Sequence, residues 1–424
     1  MENGIVLRLL SLLGLCCMVG LAWLLSEDRR RVSWRLVAWG MTLQFALGIL
    51  VLRTPVGAPF FNWVKAGFDV LTSASHEGAE FVFGNLSEFF LIERVLVPGA
   101  EGMEPVEPFA ISAVVAFQVL PVIIFVSGLS AILQHLGVIQ AVVRGMAWLM
   151  RRTLKTSGAE TFGAALLVFL GIESVSALGN YLRLMTRSEV FVLLVGFLAT
   201  IASSVMVAYA GFGAEPGHLL AASLMSAPAA IVMAKLMVPE TGEPATAGHG
   251  RVELPVESHN IFDAAARGGA LGLNMALNVG ALLIVFIGLI HIADLFTGAV
   301  TGQTLTALLG WVFRPFAFLM GVPWSDIGPV SELLATKSVF NEFLAYEHLR
   351  PLVEDKALSQ RGVTITTYAL CGFANPGSLG IMIGAFAGMV PERRAEVAAL
   401  SLKAYVGGTL ACFTTACVAG ILGS

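Results

Sequence analysis

Charge is scarce in this chain. Of 424 residues 13% are charged and 57% hydrophobic. A soluble protein carries about 25% charge, so this composition, with a mean hydropathy of +0.82, places the chain in a bilayer. Barrel strands would alternate with period two, and no such alternation is present. What remains is an all-α polytopic membrane protein. Cysteine is sparse as well. Cys16, Cys17, Cys371, Cys412 and Cys417 all lie in apolar stretches and read as small hydrophobes, not as a disulfide framework or a metal site. Basic nucleic-acid patches, Walker loops and His clusters are missing, so neither nucleic acid nor a bound cofactor is expected. The net charge of −4 names no partner. The first apolar stretch lacks a small-residue cleavage site and reads as a retained helix.

Against this background one stretch stands out, Tyr368-Ala369-Leu370-Cys371-Gly372-Phe373-Ala374-Asn375-Pro376-Gly377-Ser378. It sits inside an apolar run, 363–390, long enough to span the roughly 20 residues a membrane helix needs. Pro376 removes a backbone donor, and the glycines weaken helix. A proline kink in a packing helix is the plain reading. The sharper one is a helix broken at membrane depth, tolerated only against protein or a water-filled cavity. Secondary transporters build their substrate sites from such breaks.

Spans are expected at 5–25, 36–52, 109–136, 190–212, 219–237, 269–296, 363–390 and 403–422. Residues 54–107 are mixed and read as external or interfacial segments with shallow helices. The basic turn Asp28-Arg29-Arg30-Arg31 belongs in the cytoplasm, which puts both termini outside. The segment at 162–184 is bounded by cations and interrupted by Gly171, Glu173 and Gly179, so it reads as a re-entrant hairpin. Residues 325–349 hold Lys337, Glu342 and Glu347 and read as a second hairpin. Interfacial helices are expected around Trp148 and at 311–320.

The order of these pieces repeats. Interfacial helix, hairpin, broken helix and helix fill 142–237 and again 305–424, entering from opposite sides. That is an inverted-topology repeat, with scaffold helices at 1–141 and a cytoplasmic loop and scaffold helix at 238–304. Glu173 and Glu342 sit at matching hairpin positions. An acid at mid-membrane costs about 3 kcal/mol by insertion scales, so each is a functional candidate. The bland alternative is a protonated acid bonded to a neighbouring helix. Two acids without an obvious buried base suit a polar neutral ligand or a cation. Asn375 and Ser378 suit sugar hydroxyls, and Phe373 offers a stacking face or simply core. Thr200 offers oxygen to Na⁺, although a membrane Thr commonly bonds its own i−4 carbonyl.

These residues carry a resemblance. Trp39-Gly40-Met41-Thr42-Leu43-Gln44-Phe45, Met185-Thr186-Arg187-Ser188-Glu189, Asn341-Glu342-Phe343-Leu344-Ala345-Tyr346 and Tyr368 through Asn375 look like the concentrative nucleoside transporter family, over nearly the full length. The resemblance implies a homotrimer in a cell inner membrane, in contact with lipid, that imports nucleosides against a cation gradient and is not an enzyme. It implies that Glu342, Asn375, Ser378 and Phe373 hold the ribose. It likewise implies that Glu173 and Val205 face the base.

The chain departs from the family at three places, one of them Pro376-Gly377, where the family often has Phe-Ser or Phe-Gly. The first hairpin tip usually reads Gly-Gln-Thr-Glu and here reads Gly171-Ile172-Glu173, one residue short. The Na⁺ site uses an Asn four residues before that glycine, and here the position is Leu167. Thr200 and the Ile201 and Leu170 carbonyls remain, so Na⁺ or H⁺ is the coupling ion, with the lean toward protons or mixed coupling. The altered tip also admits a different sugar-bearing or heterocyclic solute.

Overall fold

The computed structural model describes residues 4–87, 90–92, 95–99, 102–106, 109–111, 115–171, 178, 181–246 and 258–423. Its apolar runs are helical because a backbone in hydrocarbon has to satisfy its own donors and acceptors. The chain opens with α1 (Gly4–Leu24), α2 (Trp34–Leu52) and α3 (Gly57–Phe83). Ser33 caps α2, its side chain accepting from the Leu36 N–H. Four short strands follow: β1 (Phe90–Ile92), β2 (Val95–Gly99), β3 (Gly102–Val106) and β4 (Phe109–Ile111). They form two antiparallel ladders, β1 with β4 and β2 with β3. Next come α4 (Val115–Gln118), α5 (Leu120–His135) and α6 (Val138–Leu154).

The first half of the remaining chain holds α7 (Gly158–Leu170), α8 (Tyr181–Leu184), α9 (Arg187–Ala199), α10 (Ser203–Gly211) and α11 (Pro216–Met237). A 41-residue helix, α12 (Ile261–Thr301), separates it from the second half. That half holds α13 (Leu305–Leu319), α14 (Ile327–Val339), α15 (Glu342–Glu354), α16 (Gln360–Leu370), α17 (Pro376–Met389) and α18 (Arg394–Leu422).

Among the described residues seven helical stretches are long and apolar enough to cross a membrane, at Gly4–Leu24, Trp34–Leu52, Val115–His135, Arg187–Gly211, Pro216–Met237, Ile261–Thr301 and Pro391–Leu422. The eighth expected crossing, 363–390, is two helices, α16 and α17, parted by Cys371 to Asn375. That break is as expected; two expectations need correction. Residues 54–107 do not carry shallow helices throughout, since α3 runs for 27 residues and the ladders follow it. The all-α class of the fold stands, with these ladders as one small region of strand beside it. The span expected from 109 opens with Phe109–Ile111 paired as β4, and its described helix is α4 from Val115 onward.

The core lies where α9, α11 and α18 pack on one another. Every residue of α9 from Ser188 to Ala199 is buried. By contrast, α12 packs chiefly along α5. That contact depends on small residues. A Cβ on Gly268 would stand 2.7 Å from the Ser127 carbonyl, and one on Gly272 would stand 2.7 Å from Ile124 Cα, which is the small-xxx-small spacing of close membrane helices.

Candidate substrate site

Four breaks in helix build the site. Pro376 and Asn375 make the first. Pro376 occupies the opening position of α17, where its missing N–H costs nothing, and Asn375 is the cap, its Oδ1 accepting from Ser378 N at 2.8 Å. The second lies in the matching helix of the first half, where Thr200, Ile201 and Ala202 part α9 from α10. The third is the turn between α14 and α15. There Asn341 Oδ1 accepts from Leu344 N at 2.9 Å and starts α15 at Glu342. The fourth is Gly171, whose φ of 70° ends α7 in a conformation that favours glycine.

These breaks border a cavity of about 180 Å³. Gly171, Ala202 and Val205 come to it from the first half. Asn341, Glu342, Phe343, Phe373, Asn375, Gly377, Ser378 and Ile381 come from the second. Helix α12 closes it with Met275, Asn278, Val279, Leu282, Leu283 and Phe286. The cavity is mostly apolar with a few convergent polar groups, the usual make-up of a small-molecule site.

Glu342 is its polar focus. The carboxylate is 3% exposed. Tyr209 on α10 donates its hydroxyl to Oε1 at 2.7 Å, and Asn375 donates Nδ2 to Oε2 at 2.6 Å. The Asn375 amide has its orientation set by its own cap, since Oδ1 is taken by Ser378 N. Both carboxylate oxygens therefore accept from protein, and their remaining lone pairs accept from whatever enters. The N-termini of α15 and α17 both end here and favour negative charge. A neutral solute rich in hydroxyl donors fits such a group.

Five of the residues singled out from sequence, Val205, Glu342, Phe373, Asn375 and Ser378, meet in this one cavity. Phe373 also meets Phe197 at 5.5 Å between ring centroids. Glu173 lies outside the described residues. Thr200, Ile201 and Leu170 flank the cavity through their neighbours Ala202 and Gly171 without lining it. Thr200 donates to the Gly196 carbonyl at 2.8 Å, with the Leu167 carbonyl at 3.4 Å. The Leu167 side chain fills the space beside Gly196 with methyl, not amide.

Sequence reasoning missed Tyr209 and Asn278. Tyr209 stands four residues after Val205, on the same face of α10, and that spacing is the signal that could have found it. Asn278 is an amide in an otherwise apolar span. The expectation of no buried base also fails. Lys337 on α14 is 0% exposed and Lys235 on α11 is 7% exposed.

Lys235 belongs to a cluster at the base of the first hairpin. Ser157 and Glu160 form a capping box on α7, and Thr186 and Glu189 form one on α9. Lys235 Nζ lies 2.7 Å from Glu160, 3.1 Å from Glu240 and 3.0 Å from Ser188 Oγ. Ser157 donates in turn to Glu189. The cluster ties α7, α9 and α11 together well away from the cavity's lining.

Comparison with known proteins gives concordant matches. Three family models fit: the N-terminus of Na⁺-dependent nucleoside transporters over residues 13–86, a nucleoside-recognition gate over 116–216, and the C-terminus of the same transporters over 218–420. Sodium/nucleoside cotransporter 1 of Rattus norvegicus is 37% identical over 98% of this chain and 64% of its own length. Solute carrier family 28 member 3 of Mus musculus is 36% identical over 98% of this chain, which spans 59% of that relative. The transporter YutK of Bacillus subtilis is 37% identical over 97% of this chain and 98% of its own length. Among solved structures, CNTnw in an inward-facing substrate-bound state superposes with a TM-score of 0.90 at 37% identity, covering 100% of both chains. A doubly substituted CNTnw in an outward-facing state gives 0.88 at 36% identity, covering 98% of this chain and 99% of its own.

Proposed function

The chain belongs to the concentrative nucleoside transporter family, and from that membership we propose that it is a secondary active importer of nucleosides, driven by a cation gradient through alternating access. The observation that carries this reading is the Glu342 carboxylate, fixed by Tyr209 from one half of the molecule and Asn375 from the other at the wall of a cavity. In the proposed pose the ribose hydroxyls donate to Glu342, Asn375 and Ser378 complete the sugar side, and Phe373 packs on a ring face. Val205 and Glu173 face the base. The solute leaves chemically unchanged, so the protein is not an enzyme.

Residues 142–237 and 305–424 are the two inverted modules of this reading, with 1–141 and 238–304 as scaffold. The element order supports it: α7 to α11 and α14 to α18 each run hairpin, broken helix, helix. The protein would sit as a homotrimer in a cell inner membrane with both termini outside.

For the coupling ion, the Thr200 hydroxyl oxygen and the Ile201 and Leu170 carbonyls are the Na⁺ donors. Leu167 supplies none, and this favours protons, carried on Glu173, as the alternative. Uptake into proteoliposomes with the Na⁺ and H⁺ gradients varied separately decides between them. Accumulation of labelled uridine or adenosine above equilibrium is expected, and Glu342→Gln should abolish it with the fold intact. Uptake by that variant at the parental rate would remove Glu342 from the site.

A second reading rests on the short tip Gly171-Ile172-Glu173: transport of another sugar-bearing or heterocyclic solute. A thermal-shift panel of nucleosides, nucleobases and modified nucleosides separates the two.

A further inference from the structure

The two broken helices end back to back. A Cβ on Gly372, just past the end of α16, would stand 3.0 Å from the Leu198 carbonyl oxygen and 3.1 Å from the Ala199 carbonyl carbon, at the end of α9. Each end presents carbonyls without a partner inside its own helix and carries partial negative charge. Two such ends meeting away from water call for positive charge.

The ends are satisfied differently. At α16, Lys337 Nζ donates to the Ala369 carbonyl at 3.3 Å and the Tyr346 hydroxyl donates to the Thr367 carbonyl at 2.9 Å. Gly372 N donates to the Leu370 carbonyl at 2.8 Å, and the Cys412 thiol reaches the Cys371 carbonyl at 3.4 Å. At α9, the Thr200 hydroxyl serves Gly196 at 2.8 Å, and the Cys412 thiol stands 3.7 Å from the Ala199 carbonyl. Among the described residues no cationic side chain donates directly to a carbonyl at the α9 end; Lys337 comes nearest, through its contact with the Cys412 thiol. Nor does any described carboxylate form an ion pair with Lys337. The position of Lys337 in the fold is matched too. It lies two residues before the end of the 13-residue α14, as Val168 lies two before the end of the 13-residue α7.

We propose that the Lys337 ammonium is a tethered cation. It permanently fills the ion position at the end of α16, while the counterpart at the end of α9 is left for an exchangeable ion. One coupling cation, not two, then accompanies each solute molecule. This stoichiometric consequence rests on the transport reading; the tethered charge rests on geometry alone.

The test begins with thermal unfolding of the purified protein in NaCl and in choline chloride at equal ionic strength. Lys337→Arg should stay near the parent, and Lys337→Met should unfold at clearly lower temperature in both salts. Lys337→Ala, which vacates room for an ion, should be low in choline and regain stability in NaCl. A Lys337→Met variant as stable as the parent would overturn the proposal. So would Lys337→Arg as damaged as Lys337→Met, a comparison that still decides if Lys337→Ala does not fold. If Lys337 instead served as counter-ion to Glu342, adding Glu342→Gln to Lys337→Met would restore stability; no recovery is expected. In proteoliposomes the charge carried per nucleoside should be one for the parent and two for Lys337→Ala in Na⁺. Two for the parent would sink the tethered-ion idea. Absence of any nucleoside uptake by the parent would sink the transport reading alone, leaving the unfolding comparison to judge Lys337.

Discussion

Tyr209 has a single proton to give, and it gives it to Glu342. The phenol is 0% exposed, stacked on Tyr346 at 4.6 Å and edge-on to Phe343 at 4.8 Å, and among the described residues Glu342 is its hydrogen-bond partner. Tyr209→Phe keeps that packing and removes the donor. A hydrogen bond to a charged group contributes about 1.5–3 kcal/mol, and each 1.4 kcal/mol is tenfold. Nucleoside affinity, read by thermal shift or by competition for uptake, should fall about 10- to 100-fold with little change in unfolding temperature. Unchanged affinity would count against a positioning role. Lys235 gives the complementary case, a residue whose loss acts on stability. Lys235→Met leaves Glu160 buried beside Glu189 without its cation. Removing one partner of a buried pair costs about 3–5 kcal/mol, so the unfolding temperature should drop well below that of the parent. Adding Glu160→Gln should recover part of the loss.

At the scale of elements the informative feature is how helices stop. Asn375-Pro376 and Asn341 mark starts that the sequence already shows, because an amide cap followed by Pro or Glu is a local signal. The charges of 325–349 likewise argued against a single span, and the chain there forms two helices, α14 and α15. Other features were not legible. Residues 54–107 carry Trp63, Lys65 and His76 among apolar positions, and nothing local distinguishes a 27-residue helix there from interfacial fragments. The β1–β4 ladder pairs residues about 20 apart through backbone alone, a contact that composition does not encode. Lys337 was visible as a charge. That it turns inward to the end of α16 depends on where α14 lies in three dimensions. Gly372 shows how tight that junction is. In Gly372→Ala the new methyl would meet Cys412 Sγ at 2.5 Å and the Leu198 carbonyl at 3.0 Å. Overpacking of this kind costs about 1–3 kcal/mol. Calorimetry should show a lowered unfolding temperature, and adding Cys412→Ala should restore it only in part, because the Leu198 backbone cannot be trimmed.

Across the whole molecule, one loop residue joins distant parts. Glu27, between α1 and α2, bonds Arg187 at the start of α9 at 3.0 Å and Lys403 on α18 at 3.2 Å. The Arg187 hydrogen bond, ahead of the Lys403 contacts, holds its carboxyl below the usual carboxylate range. A lowered folded value means that the contribution is complete above the unfolded value of about 4.3 and fades as pH falls through the folded one. Parent and Glu27→Gln should therefore differ in unfolding temperature near neutrality and converge in acid. Added salt should shrink the difference at neutral pH, since the pair is partly exposed. A gap that persists unchanged in acid would mean that Glu27 acts through packing.

Helix α12 is long, 41 residues, and packs chiefly along α5, yet it supplies one whole wall of the cavity through Met275 to Phe286. That wall already touches the second half, since the Phe286 ring meets Phe340 edge-on at 6.3 Å, next to Asn341 and Glu342. In the proposed reading a molecule seated there is mortar between two masonry faces, added to the Phe286–Phe340 contact that already joins them. On that reading, lodging and release of the cargo would set how firmly the two faces hold together.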